Sequence, residues 1–239
     1  MLRSPHAGEP MPPDAFEVLR SVPLFRQVPE DDLRALAQLV RERTHPRGSL
    51  ILTQGDPGEA LFLIRSGQVK VSVLSEDGRE VILSVLGSGS FFGEMALVDD
   101  EPRSAHVIAM EDTSVLQLRR EDFRSRLRSS PELSIALLRE LSRRLRRADD
   151  TITSLMLLDV NGRVAHLLLK LAREEGGDAG ARITRRLTHA SIGQMVGASR
   201  ETVSRTMRTL VVRNVIAVER REIRLLDLPA LRLAAQQAS

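Results

Sequence analysis

The 239-residue chain has no cysteine. That excludes a disulfide framework, zinc held by thiolates and an iron–sulfur cluster on cysteine. The five histidines (His6, His45, His106, His166 and His189) are scattered, with no two at metal-binding spacing. No apolar run reaches the ~20 residues of a membrane span, and the N-terminus lacks the hydrophobic stretch of a signal peptide. No nucleophile–base pair and no Walker-type loop stands out, so the chain is not expected to be an enzyme. These absences fit a cytoplasmic protein with no membrane partner and no metal.

Charge is present but unevenly spread. The formal net charge is +3. Up to Asp159 there are 21 basic and 25 acidic side chains, and from Val160 onward 14 basic and 7 acidic. A basic C-terminal part beside an acidic N-terminal part suggests a polyanionic partner for the former.

The texture of the chain changes along its length. Residues 1–14 are rich in proline and small residues and are expected to be a disordered tail. DDLRALAQLV repeats apolar residues at helical spacing. From about Gly48, short β-rich runs follow (SLILT, ALFLIR, QVKVSVL, REVILSVL, SAHVIA, SVLQLR), separated by the turn signals GDPGE, RSGQ, SEDGR and GSGS. Short strands with glycine turns predict a small antiparallel roll. From Pro131 the period becomes helical. Leu138, Leu141, Leu145, Ala148, Ile152 and Leu155 step by three and four, the seam of a coiled coil. A single amphipathic helix covering its own domain is the other reading, and the narrowness of the stripe favours a dimer seam. Asp159, Asn161 and Gly162 then predict a hinge.

The basic end carries LTHASIGQMVGASRETVSRTMRTLVVRNVIAV, Leu187 to Val218. Thr188 or Ser191 can cap a first helix and Ser199 a second, running from Arg200 toward Arg213. Gly197 supplies the sharp turn between them. Ile192, Met195, Val196, Val203, Met207 and Leu210 form the inner faces, and VIAV with EIRLLD predicts a two-stranded wing. That leaves Arg200, Glu201, Ser204, Arg205 and Arg208 toward solvent. Arginine can donate twice to guanine and glutamate can accept from cytosine in a major groove, while Ser199 and Thr202 suit phosphates. The same set would also serve as a solvated face of a small bundle.

IGQMVGASRETVSR resembles, without a break, the helix-turn-helix of the CRP/FNR superfamily, and SRETVSR its catabolite-activator (cyclic AMP receptor) branch. The resemblance extends from about Phe16 to Leu228. It implies an α+β fold: an antiparallel cyclic-nucleotide-binding β-roll (jelly roll) over 15–130, a long dimerisation helix over 131–159 and a winged helix-turn-helix over 160–239. It implies a homodimer joined through residues 134–158. It further implies double-stranded DNA with TGTGA-like half-sites, read by Arg200, Glu201 and Arg205 and held at phosphates by Ser199 and Thr202. RNA polymerase is an implied partner, near the loop Gly176–Thr184. His189-Ala190-Ser191 departs from the family, which is more polar and basic there.

FFGEMALVDDEPRSA, Phe91 to Ala105, then resembles the family's phosphate-binding cassette. The resemblance implies that Glu94 accepts a ribose hydroxyl and that Arg103 pairs with a cyclic phosphate. Ser104 and backbone amides around Gly93, Met95 and Ala105 add hydrogen bonds. The chemistry agrees: a guanidinium fork suits phosphate oxygens, an ionised carboxylate accepts from hydroxyls, and a short helix beginning at Gly93 would point amides at an anion. Cyclic AMP is the first candidate ligand. Ala148 and Asp149 stand where cyclic-AMP-responsive members use hydroxyl or amide side chains against adenine. The alternative is a constitutive DNA-binding regulator with a vestigial pocket.

Overall fold

The computed structural model describes residues 14–176, 182–184, 187–219 and 222–236. Residues 1–13 of the expected tail lie outside that set, as do 177–181 of the loop Gly176–Thr184. The chain divides into two compact units, one through Arg143 and one from Arg144 onward.

The first unit opens with α1 (Ala15–Ser21), a 3-10 turn (Pro23–Phe25) and α2 (Glu30–Ala37). Leu19, Phe25, Leu33 and Leu36 are buried. Asp14, the end of the expected tail, accepts a hydrogen bond from Arg65 Nη2 at 2.5 Å. Then come β1 (Arg41–His45), β2 (Leu50–Leu52), β3 (Ala60–Ser66), β4 (Gln68–Leu74), β5 (Glu80–Gly87), β6 (Phe91–Phe92), α3 (Met95–Val98), β7 (His106–Ala109) and β8 (Thr113–Arg119). They form two antiparallel sheets, ordered β1-β8-β3-β6 and β2-β7-β4-β5. β3 is central because its first five residues are all buried, the mark of a strand covered on both faces. Its Phe62 ring stacks on Phe92 of β6 with centroids 5.1 Å apart. β1, RERTH, has no buried residue and pairs only with β8, an edge position that tolerates charge.

Helix α4 (Arg120–Ser129) inserts Phe123 into the core, and α5 (Pro131–Leu157) follows. Leu133 and Leu137 of α5 join that core, with Leu141 packed against it. A neighbouring stripe is left open in the single chain: Leu138 is 62% exposed, Leu145 64%, Ile152 54% and Leu155 46%.

The second unit holds α6 (Val160–Glu174), β9 (Arg182–Ile183), α7 (His189–Val196), α8 (Arg200–Val212), β10 (Ile216–Glu219), β11 (Glu222–Leu225) and α9 (Leu228–Ala234). The expected wing pair is β10 and β11, and β9 adds a third strand beside β11. The predicted hinge is shorter than the sequence suggested. Asp159 caps α6 by accepting from the Gly162 amide at 2.7 Å. Asn161 and Gly162 therefore lie within the first turn of α6, where short polar residues interrupt the apolar period without breaking the helix. The whole is α+β: an antiparallel roll, a long helix and a winged helix-turn-helix.

Candidate nucleotide cassette and DNA-facing helix

The cassette begins where β6 ends. Gly93 has φ +83°, and a Cβ built there would lie 2.8 Å from Arg103 Nη1 and 3.2 Å from the Ala60 carbonyl. Only glycine fits both the conformation and the space. The left-handed residue also delays the helix: α3 starts at Met95, with Glu94 as its cap residue, rather than at Gly93 as the sequence suggested. The amides of Leu97 and Val98 bond back to the Glu94 carbonyl at 3.0 and 3.2 Å.

Glu94 is only 2% exposed and Arg103 5%, so both charges are taken out of water at one end of the roll. Arg103 donates from Nη1 to the Gly93 carbonyl at 2.5 Å and from Nη2 to the Ala60 carbonyl at 2.8 Å. Burial lowers its pKa, and Glu94, Glu59 and Asp56 oppose that shift. A guanidinium stays protonated under such a balance. It carries five N–H donors, and these two bonds take one each. The Arg103 main chain is fixed too: its amide reaches the Asp56 carbonyl at 2.8 Å and its carbonyl accepts from Gly55 at 2.9 Å. Ala105 is buried, while Ser104 is exposed with its Oγ 3.8 Å from Met95 Sδ; Met95 itself is half exposed. Gly93, Glu94, Met95, Arg103, Ser104 and Ala105 thus converge in the first unit. Ala148 and Asp149 lie on α5 in the second unit, both exposed.

One cassette residue was not singled out from sequence. Asp100 has φ +66°, a conformation costly for a residue with a Cβ. Its carboxylate makes ion pairs with Arg120 and with Arg124, the latter at 2.7 Å. Arg120 also donates to the Gly58 carbonyl at 2.9 Å. No local pattern announces this clamp, because its arginines are 20 and more residues away.

In the second unit α7 starts with a capping box. Thr188 Oγ1 accepts from the Ser191 amide at 3.0 Å, and Ser191 Oγ accepts from the Thr188 amide at 2.9 Å. Gly197 ends the helix at φ +64°. A Cβ on Gly193 would meet the Ala198 carbonyl at 2.6 Å, so the turn requires two glycines. Ser199 caps α8 by accepting from the Thr202 amide at 3.2 Å. Val203, Thr206, Met207 and Leu210 are buried. Ser199, Arg200, Glu201, Arg205 and Arg208 are exposed, and Thr202 and Ser204 are partly so. A hydrogen bond from its own backbone, with Ser199 and Arg200 adding, holds the Glu201 carboxyl below the usual range. It is therefore an acceptor at neutral pH. Thr206 was missed from sequence as an inward residue; the i, i+3, i+4 spacing from Val203 was the available signal.

Residues 42–130 match the model of the cyclic nucleotide-binding domain, and 162–234 that of the Crp-like helix-turn-helix domain. The chain is 36% identical over 213 residues to the CRP-like cAMP-activated global transcriptional regulator of Mycobacterium tuberculosis, covering 88% of this chain and 95% of that one. It belongs to the CRP/FNR superfamily of transcription regulators. Like those regulators, it joins a cyclic-nucleotide-binding domain to a DNA-binding helix-turn-helix. A second relative, the cyclic AMP receptor protein of Thermus thermophilus, is 37% identical over 221 residues, spanning 90% of this chain and all of its own. The solved structure of the c-di-GMP-responsive regulator CLP of Xanthomonas campestris superposes with a TM-score of 0.68 at 26% identity, covering 80% of this chain and 96% of that one. The Mycobacterium tuberculosis and Xanthomonas campestris proteins are named as regulators. Among the described residues no helix is long and apolar enough to cross a membrane, and no group of three or more His, Asp or Glu could hold a metal ion.

Proposed function

We propose that this regulator acts as a homodimer, binds a pseudo-palindrome with TGTGA-like half-sites, and is controlled by a cyclic nucleotide seated on Glu94 and Arg103. The burial of those two opposite charges around a glycine that leaves room for the guanidinium carries the reading. Arg103 uses two of its five N–H donors on carbonyls, and a carboxylate accepts from hydroxyls, so a ligand presenting hydroxyls and a phosphate suits both groups. Gly93, Met95, Ser104 and Ala105 would line the phosphate, and Ala148 and Asp149 would meet the base. Cyclic AMP is the first candidate, in keeping with the names of the relatives. Arg200, Glu201 and Arg205 would read bases, with Ser199, Thr202, Ser204 and Arg208 at or near phosphates. The exposed stripe of α5, within residues 134–158, would join the two chains. RNA polymerase would be the further partner, in the cytoplasm, through the loop that includes the undescribed residues 177–181.

A second reading rests on one observation. Ala148 has no hydroxyl and Asp149 can only accept, so neither supplies the mixed donor–acceptor edge that adenine asks for. This favours a constitutive regulator, or a ligand whose base sets two donors side by side, as guanine N1–H and N2–H2 do, where adenine sets its one amine beside ring acceptors. Calorimetric titration with cyclic AMP, cyclic GMP and c-di-GMP tests all three. Binding of cyclic AMP that Arg103→Ala weakens at least about 100-fold, the loss of a charge-assisted pair worth ~3 kcal/mol, is the expected result. No binding of any of them, from protein that still holds a TGTGA palindrome, would leave the constitutive reading standing.

A further inference from the structure

Within the second unit, three contacts tie the end of α5 to the helix-turn-helix. Arg163, in the first turn of α6, donates from Nε to the Val196 carbonyl at 2.9 Å and from Nη1 to the Leu158 carbonyl at 3.0 Å. Val196 is the last residue of α7 and Leu158 directly follows α5. Both carbonyls are of the kind that a helix C-terminus leaves unpaired, and both sit at negative dipole ends, so one cation satisfies two helices at once. Thr206, buried on the inner face of α8, donates from Oγ1 to Asn161 Oδ1 at 2.7 Å. Asn161 Nδ2 in turn lies 3.4 Å from Oδ2 of Asp159, the α6 cap. Finally, the Cβ position of Gly197, in the turn itself, lies 3.5 Å from Leu155 Cδ2 of α5.

We infer that Arg163, Asn161 and Thr206 are positioning residues for DNA recognition: they fix the angle of α8 against the end of α5. None of the three is among the residues that would face DNA, and Thr206 is 3% exposed. The joint matters because of symmetry, and here the inference rests on the proposed dimer. If α5 pairs with its copy, the two α5 ends are fixed in space. The joint then sets how far apart the two recognition helices stand and how they are turned. One base pair of extra spacing moves a half-site by about 3.4 Å and turns it by about 34°. A rigid joint rejects that displacement, and a loosened joint tolerates it.

The chemistry selects the substitutions. Thr206→Val keeps shape and removes the donor; Thr206→Ser keeps the donor. Arg163→Met keeps the apolar stem and removes both bonds. The full chain would be titrated by fluorescence anisotropy, with and without cyclic AMP, against duplexes whose TGTGA and TCACA half-sites are at the parent spacing or one base pair wider or narrower. Wild type is expected to prefer the parent spacing by about tenfold or more. Thr206→Val and Arg163→Met should cut that preference to about threefold or less, with Thr206→Ser restoring it and affinity for unrelated DNA unchanged within about twofold. Folded variants, checked by circular dichroism, that keep the wild-type spacing preference would overturn the inference, as would a Thr206→Ser that behaves like Thr206→Val. A wild type that binds single half-sites as well as palindromes would instead remove the dimer reading, and the inference with it.

Discussion

Gly93 is a single position that sets the room left for the Arg103 guanidinium. Gly93→Ala forces a methyl into the 2.8 Å gap beside the guanidinium and places a Cβ at a positive φ. The variant should fold, with stability lowered by about 1–2 kcal/mol, and lose nucleotide affinity at least about tenfold in calorimetry. On the DNA side, Arg200→Ala and Arg205→Ala should each lose about 1–3 kcal/mol of discrimination at one guanine. Competition binding with single-base operator variants measures this; equal losses on every sequence would mean phosphate contacts instead. Glu94, Arg103, Gly197 and the cap Ser199 were legible in the sequence, since their residue types are demanded by the chemistry or the turn. Asp100 and Thr206 were not. The carboxylate of Asp100 is paired with arginines of the next helix, which no local pattern announces. Thr206 stands on the buried face by spacing from Val203 but is polar by type, and the partner that satisfies its hydroxyl, Asn161, lies 45 residues away.

The elements that sequence located are those whose period reports their burial. Six of the β runs read from sequence are the strands β2, β3, β4, β5, β7 and β8. β1 escaped because RERTH is an edge strand with no buried residue, and β6 and β9 because two residues carry no period. Helix α4 buries only Phe123, too little to make a stripe. Helix α5 was legible because it is long, and its seam was read from sequence, but not the core face of Leu133 and Leu137 against which Leu141 of that seam packs. Leu133 and Leu137 go into the core, and Leu138, Leu145, Ile152 and Leu155 stay open. Covering that open stripe with a second copy removes apolar area worth ~25 cal/mol per Å². Leu145→Glu, a charge at the middle of the stripe, should convert a dimer to a monomer in sedimentation while leaving the roll's melting unchanged. A monomeric wild type at micromolar concentration would contradict the seam.

At the scale of the molecule, acid should weaken both units. Burial is the main cause holding His45 and His166 below the ordinary histidine value, with Arg43 adding to it at His45 and Lys170 and Arg173 at His166; Asp150 opposes at His166. The unfolded chain therefore takes up more protons in acid. The stability these groups allow is intact above the unfolded value of about 6.5 and falls as pH drops through it toward the lower folded values. Melting midpoints should decline between about pH 7.5 and 5, and His166→Gln should flatten that decline for the second unit. A midpoint that rises on acidification would contradict the assignment. The basic excess after Val160, unlike the pairings, was plain from composition. Lowering salt should strengthen DNA binding because released counterions drive it.

The open stripe on α5 also makes the quantity of this protein a signal in its own right. If only the paired form grips both half-sites, operator occupancy in the dilute limit rises with the square of the number of chains. Halving the dose of the gene would then quarter the response while every chain remained intact.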